Sequence, residues 1–386
     1  MPLPIYFDYN ATTPVDPAVV EAMAPFWGQH FGNPSSNHAY GWAADEAVEQ
    51  ARERVAALIG AETETVVFTS GASESVALGM LGAGKVYGAR KNHVITVATE
   101  HKAVLETAWA MEREGFELTI LPVDEQGVAD LDALREAISE RTLMVSMMHA
   151  NNETGVIGPI VEAAMIAHEC GAFLFTDATQ AIGKIPVDVD ALGVDILALS
   201  AHKFYGPKGV GALFVRRKNP RVKLTSIIPG AGQQGGLRGG TLNAPGIVGL
   251  GKAAEIASER LLAETEQLAA LRDRFENNVL ERIPSTNVNG ANAPRLPNTS
   301  SLRFDDLTTA KLLPELRGLA VSTGSACQTK TAQPSHVLTA MHLTKEQSFG
   351  TIRFSIGHPT TEAEVDAAIE EVVRAVGVVR GEPVAA

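Results

Sequence analysis

Phe173-Leu174-Phe175-Thr176-Asp177 and Ile196-Leu197-Ala198-Leu199-Ser200-Ala201-His202-Lys203 are the stretches that decide the fold of this chain. Each opens on an apolar run of strand length. An ionisable residue follows each run, Asp177 after the first and Lys203 after the second. An open α/β sheet binds ligands beyond the carboxyl ends of its strands, so a carboxylate and an amine arrive at one edge. Pyridoxal phosphate (PLP) needs this pair. A lysine holds it as a Schiff base, and an acid keeps its pyridine nitrogen protonated so that the ring accepts electrons. Taken alone, the pair reads equally well as a surface lysine and a helix-capping aspartate.

Around these stretches, helical and strand patterns alternate from about residue 45 to about residue 215. Residues 47–59 have helical periodicity, and 66–69, 94–97, 118–121 and 143–148 read as strands. Such alternation predicts an α/β fold with a parallel, doubly wound sheet. Residues 211–215 follow the Ile196 strand too closely for a parallel crossover, which needs a dozen or more residues. They are expected to run antiparallel. Residues 225–245 predict a long loop and 247–282 a long helix joining two domains. Beyond it, 300–304 and 351–355 read as strands, and 310–319 and 362–376 as helices. The expected division is a large domain, 15–256, and a smaller α+β domain built from 1–14 and 257–386.

The 386 residues suffice for two or three cores, and 45% apolar content suits a globular chain. A net charge of −13 argues against a nucleic-acid or anionic-membrane partner, which needs a basic footprint. Cys170 and Cys327 are the only cysteines. They make neither a disulfide framework nor a metal-ligand spacing, so no metal site of the protein's own is expected. No basic stretch followed by an apolar run opens the chain, and no window reaches the length of a membrane span. A soluble, cytoplasmic protein is expected.

Five motifs carry chemistry. Thr69-Ser70-Gly71-Ala72-Ser73-Glu74 follows a strand and opens a helix, where backbone N–H groups cradle phosphate; an ordinary capped helix start is the alternative. His101, in Glu100-His101-Lys102-Ala103, suits stacking on a planar ring and handling a proton, or is a plain loop residue. Asn152, in Ala150-Asn151-Asn152-Glu153-Thr154-Gly155, suits donation to a phenolic oxygen, or belongs to a simple turn. Cys327 lies among Gly, Ser, Thr and Lys, surroundings that mark a reactive thiol. Cys170, between a helix and a strand, is expected to be a buried free cysteine. Arg353, inside a strand, needs an anion. An α-carboxylate fits its fork, and a structural ion pair is the equal alternative.

Together these stretches resemble the NifS-like cysteine desulfurases, PLP enzymes of fold type I within the class V aminotransferase family. The resemblance covers nearly the whole chain. It begins at Tyr6-Phe7-Asp8-Tyr9-Asn10-Ala11-Thr12-Thr13-Pro14 and Phe31-Gly32-Asn33-Pro34-Ser35-Ser36. It continues through Gly235-Gly236-Leu237-Arg238-Gly239-Gly240-Thr241-Leu242-Asn243 to Gly324-Ser325-Ala326-Cys327 and Pro334-Ser335-His336-Val337-Leu338. The resemblance implies a large domain with a mostly parallel sheet and one antiparallel strand, and a smaller domain carrying the cysteine loop. It implies that Lys203 carries PLP, Asp177 pairs with the pyridine nitrogen, His101 stacks on the ring, and Asn152 and Gln180 contact the phenolic oxygen. Ala72, Ser73, Ser200 and His202 would bind the phosphate, and Thr241 would reach the phosphate of a neighbouring subunit in a homodimer. Arg353, with Asn152, would hold the substrate L-cysteine. Cys327 would take its sulfur as a persulfide, leaving alanine. A sulfur-acceptor or iron–sulfur scaffold protein would receive it, with the persulfide transiently ligating a cluster there.

The chain departs from the family's usual pattern in places. Val76 and Ala77 stand where Asn is usual, Ser73 where Thr is, Gln234 where Glu is common, and His358 where an arginine often occurs. None removes a catalytic group. Two rival readings stand beside the desulfurase. Another class V PLP enzyme, a selenocysteine lyase or an aminotransferase, would not need Cys327. A non-catalytic interaction protein on the same fold would need neither Lys203 nor Cys327.

Overall fold

The computed structural model describes residues 3–323 and 333–382, so Cys327 lies outside the described residues. Twelve strands occur among them: β1 Ile5–Tyr6, β2 Val66–Thr69, β3 His93–Val97, β4 Glu117–Leu121, β5 Thr142–Ser146, β6 Phe173–Asp177, β7 Ile196–Ser200, β8 Gly211–Val215, β9 Thr286–Val288, β10 Thr299–Phe304, β11 Leu319–Ala320 and β12 Thr351–Ser355. Seven of them form one sheet in the order β2-β8-β7-β6-β5-β3-β4. Strands β3 to β7 pair in parallel, and β8 runs antiparallel to both β7 and β2. The short connection after β7 leaves β8 no other course.

Alternation along these strands loads both faces of the sheet. Val66, Phe68, Ile95, Val145, Leu174 and Leu197 point to one side, under the helices Ala39–Leu58, Ile160–Glu169 and the start of Ala244–Arg282. Val67, Val94, Met144, Phe175 and Ile196 point to the other, under Ala72–Tyr87 and Lys102–Arg113. A separate core lies on the antiparallel sheet β12-β10-β9, where Leu302, Phe304, Ile352 and Phe354 meet the helix Glu362–Arg380. The 39-residue helix Ala244–Arg282 serves both regions. Ala244 to Ile256 pack on the large sheet, and Leu268 to Val279 on the small one.

Three expectations need correction. The helix expected at 47–59 begins at Ala39, where His38 Nδ1 accepts from Gly41 N at 3.3 Å and caps it. The helix expected over 310–319 is one turn, Thr309–Leu312. Pro314 lacks the N–H that would continue it and crowds the preceding turn, and the chain has returned to a strand by Leu319. Cys170 is only half-buried, at the C-cap of Ile160–Glu169, instead of packed in the core. No helix among the described residues is long and apolar enough to cross a membrane.

Candidate active site

Strand ends build the site. β6 and β7 are hydrogen-bonded neighbours with Asp177 opposite Ala198, so Asp177 and Ser200 emerge side by side. A 3-10 turn, Ala201–Lys203, follows Ser200 and turns the lysine back over the sheet edge. Gly211 stands opposite both Ser200 and Thr69, which brings the Gly71 turn against β7. A Cβ on Gly211 would lie 2.4 Å from Leu199 O and 2.8 Å from Gly71 Cα, so only glycine permits this approach.

A cleft of about 670 Å³ opens there. Ala72, Ser73, His101, Asn152, Asp177, Gln180, Ser200, His202, Lys203 and Arg353, all singled out in the sequence, line it. Thr241 does not; it is exposed on the loop before Ala244–Arg282. Cys327 lies outside the described residues, but their edges are located. Ser322 exchanges backbone hydrogen bonds with Arg353, at 2.7 and 3.2 Å. On the far side, Ser335 Oγ donates to Glu153 Oε2 at 2.6 Å, next to Asn152.

Lys203 Nζ donates to the carbonyls of Asn10, at 2.6 Å, and Ala11, at 2.9 Å. Burial and then the Arg353 cation lower its pKa to about 8, with Asp177 opposing. Asp177 is buried, and its Oδ1 accepts from Thr179 N at 2.9 Å. His101 caps the helix Lys102–Arg113 by accepting from Ala103 N at its Nδ1, 3.1 Å away. Desolvation lowers its pKa, Asp177 raises it and Lys203 lowers it further. A neutral ring is therefore favoured at pH 7, with its proton on Nε2. The turn after β5 is ordinary turn chemistry in part: Asn151 Oδ1 accepts from Glu153 N and Thr154 N. That frees Asn152 to face the cleft.

The far end of the cleft is an anion cradle. The helix Ala72–Tyr87 starts after Gly71, at φ 149°, with no side-chain cap on its first-turn N–H groups. Ser200, His202 and Lys208 surround it. Burial and then the cations Lys203, Lys208 and Lys184 depress His202 to about 4, so it is a neutral donor or acceptor. Glu74, in that first turn, also lines the cleft, with its carboxylate engaged by Ser70 N at 2.8 Å and Arg238 Nε at 2.9 Å. An uncapped helix start, an acid at the opposite end, a lysine between them and a neutral imidazole on the wall fit PLP.

Arg353 combines both readings made of it. Its Nη2 donates to Asp8 Oδ1 at 2.6 Å and its Nη1 to Asn152 O at 2.8 Å, so it is an ion-paired strand residue. It also lines the cleft. A guanidinium has five N–H donors, and these contacts aim it while leaving capacity for a further anion. The sequence reading gave no role to Asp8, Asn10, Thr12 or Lys184. The first three lie in the N-terminal stretch quoted above, where the residues alone carry no periodicity to place them.

A family model for aminotransferase class-V matches residues 5–368. The cysteine desulfurase IscS of Rickettsia felis is 48% identical over 369 residues, covering 95% of this chain and 90% of that protein. Among solved structures, a NifS-like protein superimposes with a TM-score of 0.90 at 36% identity, covering 97% of this chain and all of the other. SspA in complex with cysteine gives a TM-score of 0.81 at 37% identity, covering 91% of this chain and 98% of that one.

Proposed function

The chain belongs to the aminotransferase class-V family, and from that premise we infer that it is a PLP-dependent cysteine desulfurase. It converts L-cysteine to L-alanine and passes the sulfur through Cys327 to an acceptor, for iron–sulfur cluster assembly or another thiolation pathway. The observation that carries this reading is the convergence of Lys203, Asp177, His101 and Arg353 on one cleft beside the attachment points of the Cys327 segment. The named desulfurase relative supports it across nearly the full length.

Bound PLP supplies an electron sink for negative charge developing on the substrate. The residues of the chain do the rest. Asp177 would hold the pyridine nitrogen protonated. His101 would stack on the ring, and the first turn of Ala72–Tyr87, with Ser73, Ser200 and His202, would hold the phosphate. Arg353 takes the cysteine carboxylate. Cys327 attacks the substrate sulfur as a thiolate: the S–S bond of the persulfide forms as the substrate's C–S bond breaks, and the carbon keeps the electron pair and takes a proton to become alanine. The test is product analysis: purified protein incubated with L-cysteine and a thiol forms alanine and sulfide in equal amounts. Keto-acid formation without alanine would replace this reading with an aminotransferase. Activity on selenocysteine alone would replace it with a lyase.

The working unit is a homodimer in the cytoplasm. Thr241 is exposed in the single chain, as a residue reaching a partner's phosphate must be. Trp27, Phe31, Tyr40 and Trp42 are exposed together at 70, 67, 60 and 60%, with the Phe31 and Tyr40 rings 5.4 Å apart. Exposed aromatics such as the Phe31–Tyr40 pair suit an interaction surface. Sedimentation should give a dimer. Thr241→Ala should weaken PLP retention by roughly 1.5–3 kcal/mol, the range for a hydrogen bond to a charged group. A fully active monomer would remove both expectations.

A further inference from the structure

Lys184 is 7% exposed and lies one turn beyond Gln180, behind the wall of the cleft. Its Nζ donates to Gln180 O and to Gln180 Oε1, both at 3.0 Å. Its own carbonyl accepts from Thr265 Oγ1 at 2.8 Å. Among the described residues it makes no ion pair. Burial, then the cations Lys203 and Arg353, lower its pKa to about 7. A buried ammonium with no counter-ion is costly, and a methionine would fill the same space without that cost. Packing does not explain it.

The contacts of Gln180 do. An amide oxygen only accepts, so Lys184 Nζ donates to Oε1 whether it is amine or ammonium. A backbone carbonyl only accepts, so Nε2 must face Asn10 O, which it meets at 2.9 Å. Asn10 O is also the acceptor for Lys203 Nζ. The Asn10 carbonyl therefore sets the amide one way round and Lys184 holds its oxygen end, on a residue that lines the cleft with Asp177.

We propose that Lys184 is a positioning residue for the cofactor: by donating to Oε1 it locks the Gln180 amide so that this residue meets the phenolic oxygen of PLP as a hydrogen-bond donor. The proposal rests on the PLP reading above. It is tested by titrating the apoenzyme with PLP and following absorbance, for wild type, Lys184→Met, Gln180→Ala and the double variant. Lys184→Met should raise the PLP Kd about tenfold, the effect of one charged hydrogen bond. Its apoenzyme should melt no lower than wild type, because the unpaired buried charge is gone. In the Gln180→Ala background the same substitution should add nothing, because coupled residues are non-additive. An unchanged Kd in Lys184→Met, or losses that simply add, overturns the proposal. If Lys184→Met does not fold, Gln180→Ala alone decides: unchanged PLP affinity there overturns it, and a similar loss supports it. Failure of the wild type to bind PLP would instead strike the parent reading.

Discussion

Lys203→Ala abolishes covalent retention of PLP and lowers alanine formation by about a thousandfold or more, a barrier increase of roughly 4 kcal/mol. Among the described residues, Lys203, Lys208 and Arg353 are the cations that line the cleft, with Lys184 behind its wall. Lys203 is the one held over the sheet edge by the N-terminal segment, through the carbonyls of Asn10 and Ala11. Only the neutral amine is a nucleophile. With a pKa brought to about 8, Lys203 is half neutral at pH 8, whereas a lysine at the ordinary value of about 10.4 is neutral to less than about 1%. Acylation of the apoenzyme should therefore rise with pH at Lys203 and level off above about 8, while surface lysines go on rising. Borohydride reduction of the holoenzyme and peptide mapping should place PLP on Lys203. Finding it on Lys184 or Lys208 would sink the assignment.

Cys327→Ser keeps PLP and still binds L-cysteine, since neither step uses the thiol, but forms no alanine. A serine hydroxyl stays protonated near neutrality and is a poor nucleophile towards sulfur, whereas a thiol near a cation ionises readily. Lys330, three positions on, is the nearest cation in the sequence. Cys170→Ser should leave activity unchanged. That thiol sits at the C-terminal end of the helix Ile160–Glu169, remote in the fold from the carboxyl ends of β6 and β7. Alkylation and mapping after incubation with cysteine should put the extra sulfur on the Cys327 peptide. Finding it on the Cys170 peptide, or full activity in Cys327→Ser, overturns the desulfurase mechanism.

Much of the site was legible because it hangs on strand ends. An apolar run of strand length announces itself, and the polar residue after it inherits a place at the sheet edge, as Asp177, Lys203 and Asn152 do. The antiparallel course of β8 followed from connection length alone. The residues that hold these groups in place were not legible. Asp8 and Arg353 meet across 345 positions of sequence, and Asn10 serves Lys203 and Gln180 across 193 and 170. No local pattern encodes such a contact. Arg353 shows the same limit from the other side: the strand arginine needed an anion, but only the fold reveals that Asp8 is already there. The short helix at Thr309–Leu312 was over-read because apolar spacing outweighed Pro314, and Cys170 because burial was inferred from its neighbours' type instead of from packing.

The sharing of cores along the chain has a consequence for synthesis. Phe7 is fully buried against Phe275 and belongs to a core completed by Val365 to Val376, far later in the chain. The core of the large sheet takes in Val337, Leu338 and Met341 as well. At ribosomal rates of about 5–20 residues per second, Phe7 spends on the order of twenty seconds to a minute without its partners. The small-sheet core cannot be completed on a shorter chain. Until residue 376 has been made, the apolar side chains of the small sheet lack the helix that covers them, and that interval exposes them to misassembly.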